Sequence, residues 1–121
     1  MNISTETREA WTVLTLKEER LDAMNSGELR DKILGLLESG GQRLIVNLAG
    51  VSFIDSSGLG ALLSGYKNAN LRSSQLVLAG LQPRVQSMFE LTRLHRVFEI
   101  HPTLDDALAV AREEVEDVPQ G

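Results

Sequence analysis

Two hydrophobic periods alternate along the chain. Trp11-Thr12-Val13-Leu14-Thr15-Leu16 changes from apolar to polar at nearly every step, as a strand with one buried face does. The more polar Ile3 to Arg8 could pair with it as an edge. From Asn25 or Ser26 the period lengthens. Leu29, Ile33, Leu36 and Leu37 share one helix face, Glu28 is placed to complete a capping box on Asn25, and Ser39-Gly40-Gly41 supplies the stop. Leu44 to Leu48 then reads as a short buried strand ended by a turn at Ala49-Gly50. Leu59, Leu62, Leu63, Tyr66 and Ala69 mark a second amphipathic helix, and Gln75 to Ala79 another strand. Pro83 suits the first position of a helix bearing Val85, Met88, Phe89 and Thr92, with Met88 and Phe89 expected in the core. Val97 to Ile100 is expected to be the last strand. Thr103 caps a final helix that has Asp105 and Asp106 in its positive first turn and Leu104, Ala107, Leu108, Ala111 and Val115 facing inward.

The resulting order, β-β-α-β-α-β-α-β-α, predicts an α/β fold: a mixed, mostly parallel sheet of four to five strands with about four helices packed on it. No repeat or linker interrupts it. Residues 1–112 are expected to form one domain, and the acidic tail from Glu113 to Gly121 is expected to fray.

Composition narrows the function classes. A chain of 121 residues can bury roughly two-thirds of its unfolded surface in one core. No apolar run approaches the ~18 residues of a membrane span, and Met1 to Glu6 has neither the basic start nor the apolar stretch of a secretion signal. Without cysteine there is no disulfide or thiolate chemistry, which fits a cytoplasmic location. The net charge of -5 argues against general nucleic-acid binding. Arg84, Arg93, His95 and Arg96 form a small basic cluster that reads as a solvated face.

Enzyme templates fail one by one. The dinucleotide loop G-x-G-x-x-G/A meets Leu63 at its sixth position, counted from Gly58. A nucleophile elbow at Ser56 would need glycine where Ile54 stands. His95 and His101 lie in no recognisable triad context. A phosphate-receiving aspartate of the response-regulator kind would need an acidic pair after the first strand and a lysine after the last, and the chain offers neither.

The segment Asp55-Ser56-Ser57-Gly58-Leu59-Gly60 falls where a strand gives way to a helix. Ser56 is therefore expected near the first helical turn, exposed at the end of the sheet with glycines beside it. Because serine is a preferred N-cap, Ser56 and Ser57 read either as caps or as hydroxyls open to gain and loss of a phosphate. Gly58, Gly60 and Gly65 each cost about 1 kcal/mol against alanine in a helix. Either they let the helix approach the sheet, or they keep its outer face flat for a partner.

The run from Asn47 through Gly60 (N-L-A-G-V-S-F-I-D-S-S-G-L-G) resembles the signature of STAS domains, in particular the bacterial anti-sigma factor antagonists. The resemblance extends over nearly the whole chain, through Leu21-Asp22, Tyr66-Lys67 and Pro83 to Phe98. It implies a single non-enzymatic STAS domain. In that family a partner that is both anti-sigma factor and serine kinase phosphorylates the hydroxyl directly after the aspartate, which by position is Ser56. Asp22 matches the family's loop aspartate beside that serine. With Asp55, Ser57, Gly58, Leu59 and Gly60 it would form the partner-binding surface. Glu19 departs from the glycine that family members commonly have three residues before this aspartate. The resemblance further implies release of a sigma factor, reset by a serine phosphatase, a monomer or weak dimer, and no cofactor, metal, nucleic acid or membrane insertion. Alternatives within the family are a subunit of a membrane transport complex, such as a lipid-trafficking ABC system, and a partner switch with a non-sigma output.

A phosphate on Ser56 would add about -1.5 to -2 charges and three acceptors. The N–H groups of Gly58 and Leu59 are expected to receive it, with Asp55 and Asp22 opposing.

Overall fold

The computed structural model describes residues 1–40 and 43–116, with side chains described to Arg112. Strands β1 (Ile3–Arg8) and β2 (Trp11–Leu16) form an antiparallel hairpin in the register Ile3↔Leu16 to Arg8↔Trp11. The turn between them places Glu9 and Ala10 in the left-handed region, at φ 52° and 68°. Beyond the short β3 (Arg20–Leu21) and helix α1 (Ser26–Glu38), the chain enters the central strand β4 (Arg43–Asn47). A second two-residue strand, β5 (Phe53–Ile54), leads directly into helix α2 (Ser56–Leu71). Then follow β6 (Gln75–Ala79), α3 (Pro83–Leu91), a 3₁₀ turn over Leu94–Arg96, β7 (Ile100–His101) and α4 (Leu104–Glu116).

The main sheet has the order β1-β2-β4-β6-β7, antiparallel only at β1–β2. This is the mixed, mostly parallel five-stranded sheet that the pattern predicts. Side chains alternate across it. Leu14, Leu16, Leu44, Val46, Leu76 and Leu78 point to one face and are covered by Leu29 and Ile33 of α1, Leu59 and Leu62 of α2, and Val85 and Phe89 of α3. Trp11, Val13, Ile45, Val77 and Ala79 point to the other face, where Ala107, Leu108 and Ala111 of α4 close a smaller core. Parallel strands require covered faces, because the crossover helices must pack somewhere; here the share is three helices to one.

Several expectations need correction. The last strand is Ile100–His101, not Val97 to Ile100. Arg93 at φ 60° starts a 3₁₀ turn, which swings Phe98 into the larger core between Tyr66 and Phe89, at ring-centroid distances of 5.2 and 5.6 Å. Burying an aromatic ring there outweighs extending a strand at the edge. The α1 capping box is absent. Asn25 accepts from Asp22 N at 2.9 Å and donates to Arg20 O at 2.7 Å, while Glu28 accepts from the Met1 amine at 2.6 Å. That hydrogen bond raises the amine's pKa. Met88 is half-buried where full burial was expected, and Leu36, Leu63, Tyr66 and Leu104 are half-buried too. Thr103 caps α4 as expected, accepting from Asp106 N at 3.0 Å. The helix runs to Glu116, so of the expected tail only 117–121 lies outside the described residues; the side chain of Val115 also lies outside them.

The α2 glycines separate into two kinds. A Cβ on Gly58 would stand 2.5 Å from the Leu21 carbonyl oxygen and 2.8 Å from Ile54 Cγ1. One on Gly65 would stand 3.0 Å from two methyls of Ile33 on α1. Around Gly60, which is exposed, nothing lies within 4 Å. Gly58 and Gly65 therefore serve close packing, and Gly60 lies on an open face.

Opposite stability changes follow for two glycines only two residues apart. Gly60→Ala should stabilise the fold by about 0.5–1 kcal/mol, from lower chain entropy in the unfolded state. Gly58→Ala should destabilise it by about 1–3 kcal/mol, because a backbone oxygen cannot yield as a side chain does. Urea denaturation of both variants measures the difference; equal effects would mean that α2 is not held against β3 at this point.

Candidate functional site

The loop after β3 and the start of α2 are joined by a two-stranded parallel pair. Arg20 lies opposite Phe53 and Leu21 opposite Ile54, and Asp55 N donates to Leu21 O at 3.3 Å. The next residues on each strand, Asp22 and Asp55, therefore leave the pair side by side, on backbones about 4.8 Å apart. Below them the Glu19 carbonyl oxygen accepts from Ser52 N at 2.8 Å, Phe53 N at 3.1 Å and Ser52 Oγ at 3.3 Å. Glu19 makes these contacts through its backbone without a left-handed φ, so a side chain is tolerated where the family commonly has glycine. The Arg20 guanidinium lies 4.0 Å over the Phe53 ring and shields the pair from the solvent side.

Asp55, not either serine, caps α2. Its backbone is extended (φ -111°, ψ -174°) and its side chain accepts from Gly58 N at 3.0 Å. Its carbonyl accepts from Leu59 N at 3.0 Å. The N–H groups of Gly58 and Leu59 are thus already engaged, which corrects the expectation that they would receive a phosphate. The orphan donors of the first turn belong to Ser56 and Ser57. Ser56 is the first helical residue and its side chain is exposed; Ser57 is half-buried.

The residues expected to face a partner are not equally available. Ser56 and Gly60 are exposed, and Asp22, Asp55 and Ser57 are half-buried. Gly58 and Leu59 are buried, Leu59 to 5% exposure, and both press into the core. Their contribution is to hold the helix start in place, and this corrects their assignment as surface contacts. The Asp22 carboxylate is also committed. One oxygen accepts from Met24 N at 3.0 Å and the other from Arg20 Nε at 3.3 Å.

Residues that pattern reasoning passed over also sit here. Arg20 and Phe53 lie on strands too short to show a period. Met24, in the Asp22 loop, is 89% exposed. Beside β5, Phe53, Ile54, Arg84, Ser87 and Met88 line a cleft of about 270 Å³ against α3. Arg84, Arg93, His95 and Arg96 are all exposed, as a solvated basic face should be, with His95 Nδ1 3.3 Å from Phe89 O. Among the described residues no cluster of three or more His, Asp or Glu could hold a metal, and no helix is long and apolar enough to cross a membrane.

The arrangement has clear relatives. The STAS domain pattern matches residues 2–107. An anti-sigma-B factor antagonist of Listeria monocytogenes is 33% identical over 102 residues, covering 83% of this chain and 90% of that protein. An anti-sigma factor antagonist from Mycobacterium paratuberculosis has the same fold, with a TM-score of 0.82 and 24% identity over 92% of this chain and 93% of that one. So does the Bacillus cell fate determinant SpoIIAA in its phosphorylated form, at a TM-score of 0.71 and 22% identity over 92% and 100% of the two chains. With a family pattern spanning most of its length and a relative one-third identical over almost the same span, this chain belongs to the STAS domain family.

Proposed function

We propose that this chain is an anti-sigma factor antagonist that works by partner switching. Unphosphorylated, it binds an anti-sigma factor with serine kinase activity and so frees a sigma factor. Phosphorylation of Ser56 ends that binding, and a serine phosphatase restores it. The observation that carries the proposal is the division of roles at the α2 start. Asp55 supplies the cap, so Ser56 is left exposed at the first helical position with no structural duty. The names of the L. monocytogenes and M. paratuberculosis relatives support the antagonist assignment, and the phosphorylated SpoIIAA structure supports a fold that tolerates the modification.

The energetics favour exclusion of the partner over refolding of the domain. A phosphate at the first helical residue meets the free N–H groups of Ser56 and Ser57 and the positive end of the helix dipole, worth about 0.3–1 kcal/mol at an exposed site. The nearby carboxylates of Asp55 and Asp22 would oppose it, so the free domain should change little. A docked partner is affected far more. Like charges or unpaired acceptors forced into an interface cost several kcal/mol, and ~4 kcal/mol weakens binding about a thousandfold. Asp22, Asp55, Ser57 and Gly60 surround Ser56 and would share the docking surface; Gly60 keeps its centre open.

Wild type, Ser56→Ala and Ser56→Asp, each immobilised and exposed to lysate of the source organism, should differ in what they retain. Wild type and Ser56→Ala should hold an ATPase of histidine-kinase-like fold that Ser56→Asp loses. Retention of the same permease or transport-ATPase subunits by all three would instead make this a fixed module of a transport complex. With the captured kinase and ATP, phosphate should appear on wild type and Ser57→Ala but not on Ser56→Ala; modification of Ser57 would overturn the assignment.

Stability should follow the cap and not the acceptor. Asp55→Ala should cost about 1 kcal/mol, whereas Ser56→Ala should stay within about 0.5 kcal/mol of wild type. Thermal denaturation compares them, and a larger loss at Ser56 would mean that its hydroxyl has a structural role after all.

A further inference from the structure

The loop between β3 and α1 is built to hold one apolar side chain out in solvent. Asp22 N donates to Asn25 Oδ1 at 2.9 Å, and Asn25 Nδ2 donates to Arg20 O at 2.7 Å. Asn25 N and Ser26 N both donate to Asp22 O, at 3.2 and 2.9 Å. Met24 N donates to Asp22 Oδ1 at 3.0 Å. The backbone of Met24 is thereby fixed from both sides while its side chain is 89% exposed. It stands at the rim of an open cleft of about 500 Å³ whose other lining is polar or charged, including Lys17, Glu19 and Arg20. Through the β3–β5 pair this loop leaves the fold beside Asp55 and Ser56.

A single exposed apolar residue is ordinary on a protein surface. Leu71 is 84% exposed and Leu91, at the end of α3, 79%. Leu71 ends α2, roughly 22 Å along the helix axis from Ser56. Met24 differs in combining a hydrogen-bonded backbone, a polar surround and a position next to the proposed switch serine. An apolar centre in a polar rim is the usual form of a binding hot spot, and methionine adapts its shape to a partner's pocket.

The geometry points to Met24 as the apolar anchor of the docking surface, inserted into an apolar pocket of the partner kinase, and to Asp22 as the positioning residue that presents it. The inference rests on the partner-switching proposal and assigns the two loop residues different tasks. Asp22 acts through the shape of the turn and does not contribute a charge to the partner.

Titration of the purified kinase-fold ATPase, the one retained by the unphosphorylated chain, separates these tasks. Met24→Ala should weaken binding roughly 10- to 30-fold, with an unchanged thermal midpoint, and Leu71→Ala should have no effect. Asp22→Ala should weaken binding to a similar degree. Asp22→Asn keeps an oxygen acceptor for Met24 N and should stay within about threefold of wild type. Binding of Met24→Ala within threefold of wild type would overturn the anchor. Equal losses for Asp22→Ala and Asp22→Asn would overturn the positioning role in favour of direct charge contact. Ser56→Asp in the same titration reports separately on the switch: wild-type affinity there would defeat partner switching and leave the Met24 comparison standing. A second readout follows the methyl carbons of the three methionines, Met1, Met24 and Met88. The Met24 signal should shift on addition of the ATPase while that of Met1 stays in place, and an unmoved Met24 signal would count against the anchor.

Discussion

The site depends on one close approach, that of Gly58 to the carbonyl of Leu21. With no Cβ at Gly58, the first turn of α2 can lie against β3, where any side chain would come within 2.5 Å of a backbone oxygen. That contact brings Ile54 and Leu21 into register and sets Asp55 beside Asp22. It also leaves Leu59 no direction but the core. The glycine thus determines where the exposed residues of the site stand while itself remaining buried. A two-residue strand pair is weak by itself, since short isolated pairings are marginal in water. Here the pair is held at its base by three hydrogen bonds to Glu19 O and covered by Arg20 over Phe53.

Those contacts place the site on a firm base. The three-helix face of the sheet holds the larger core, in which Leu21, Ile54 and Leu59 are themselves buried members. A load on the α2 start is transmitted directly into packed side chains, whose density leaves little room for continuous deformation. Charge added at Ser56 would then act on what binds the surface and not on the fold beneath it. The opposite face, closed by α4 over Trp11 and Ile45, has no part in the site and carries only the sheet's second layer.

What could be read from the chain depended on how long each signal ran. The hairpin of β1 and β2, the central strands β4 and β6 and the helices all had enough residues to show a period, and their order predicts the sheet correctly. Elements two residues long show no period, so β3 and β5 were invisible although they assemble the site. Local rules misled where two partners competed for one group. Asn25 had the sequence context of a capping box, but its side chain bridges Asp22 and Arg20 instead. Val97 to Ile100 had strand-forming residues, but Phe98 was worth more inside than on an edge. At the α2 start three consecutive residues could serve as a cap, and position along the backbone favoured Asp55; no propensity scale distinguishes them. The motif marked the strand-to-helix junction, but which of its residues would be exposed depended on a contact thirty-odd residues away in sequence.

Capping by Asp55 has a consequence for how a switch of this kind can be built. If Ser56 were the cap, phosphorylation would exchange one acceptor for another at the helix end and couple the state of the site to the stability of α2. With the cap supplied by the preceding aspartate, the serine hydroxyl can be altered while the helix keeps its first hydrogen bonds. The aspartate also adds a negative charge that would oppose a phosphate on Ser56, so a modified state would gain little from its own fold. Under the proposed switch, both states of the domain would then lie close in free energy, and the difference between them would be expressed almost wholly when a partner is present. An antagonist needs that property if a kinase and a phosphatase are to move it in either direction without first having to unfold it.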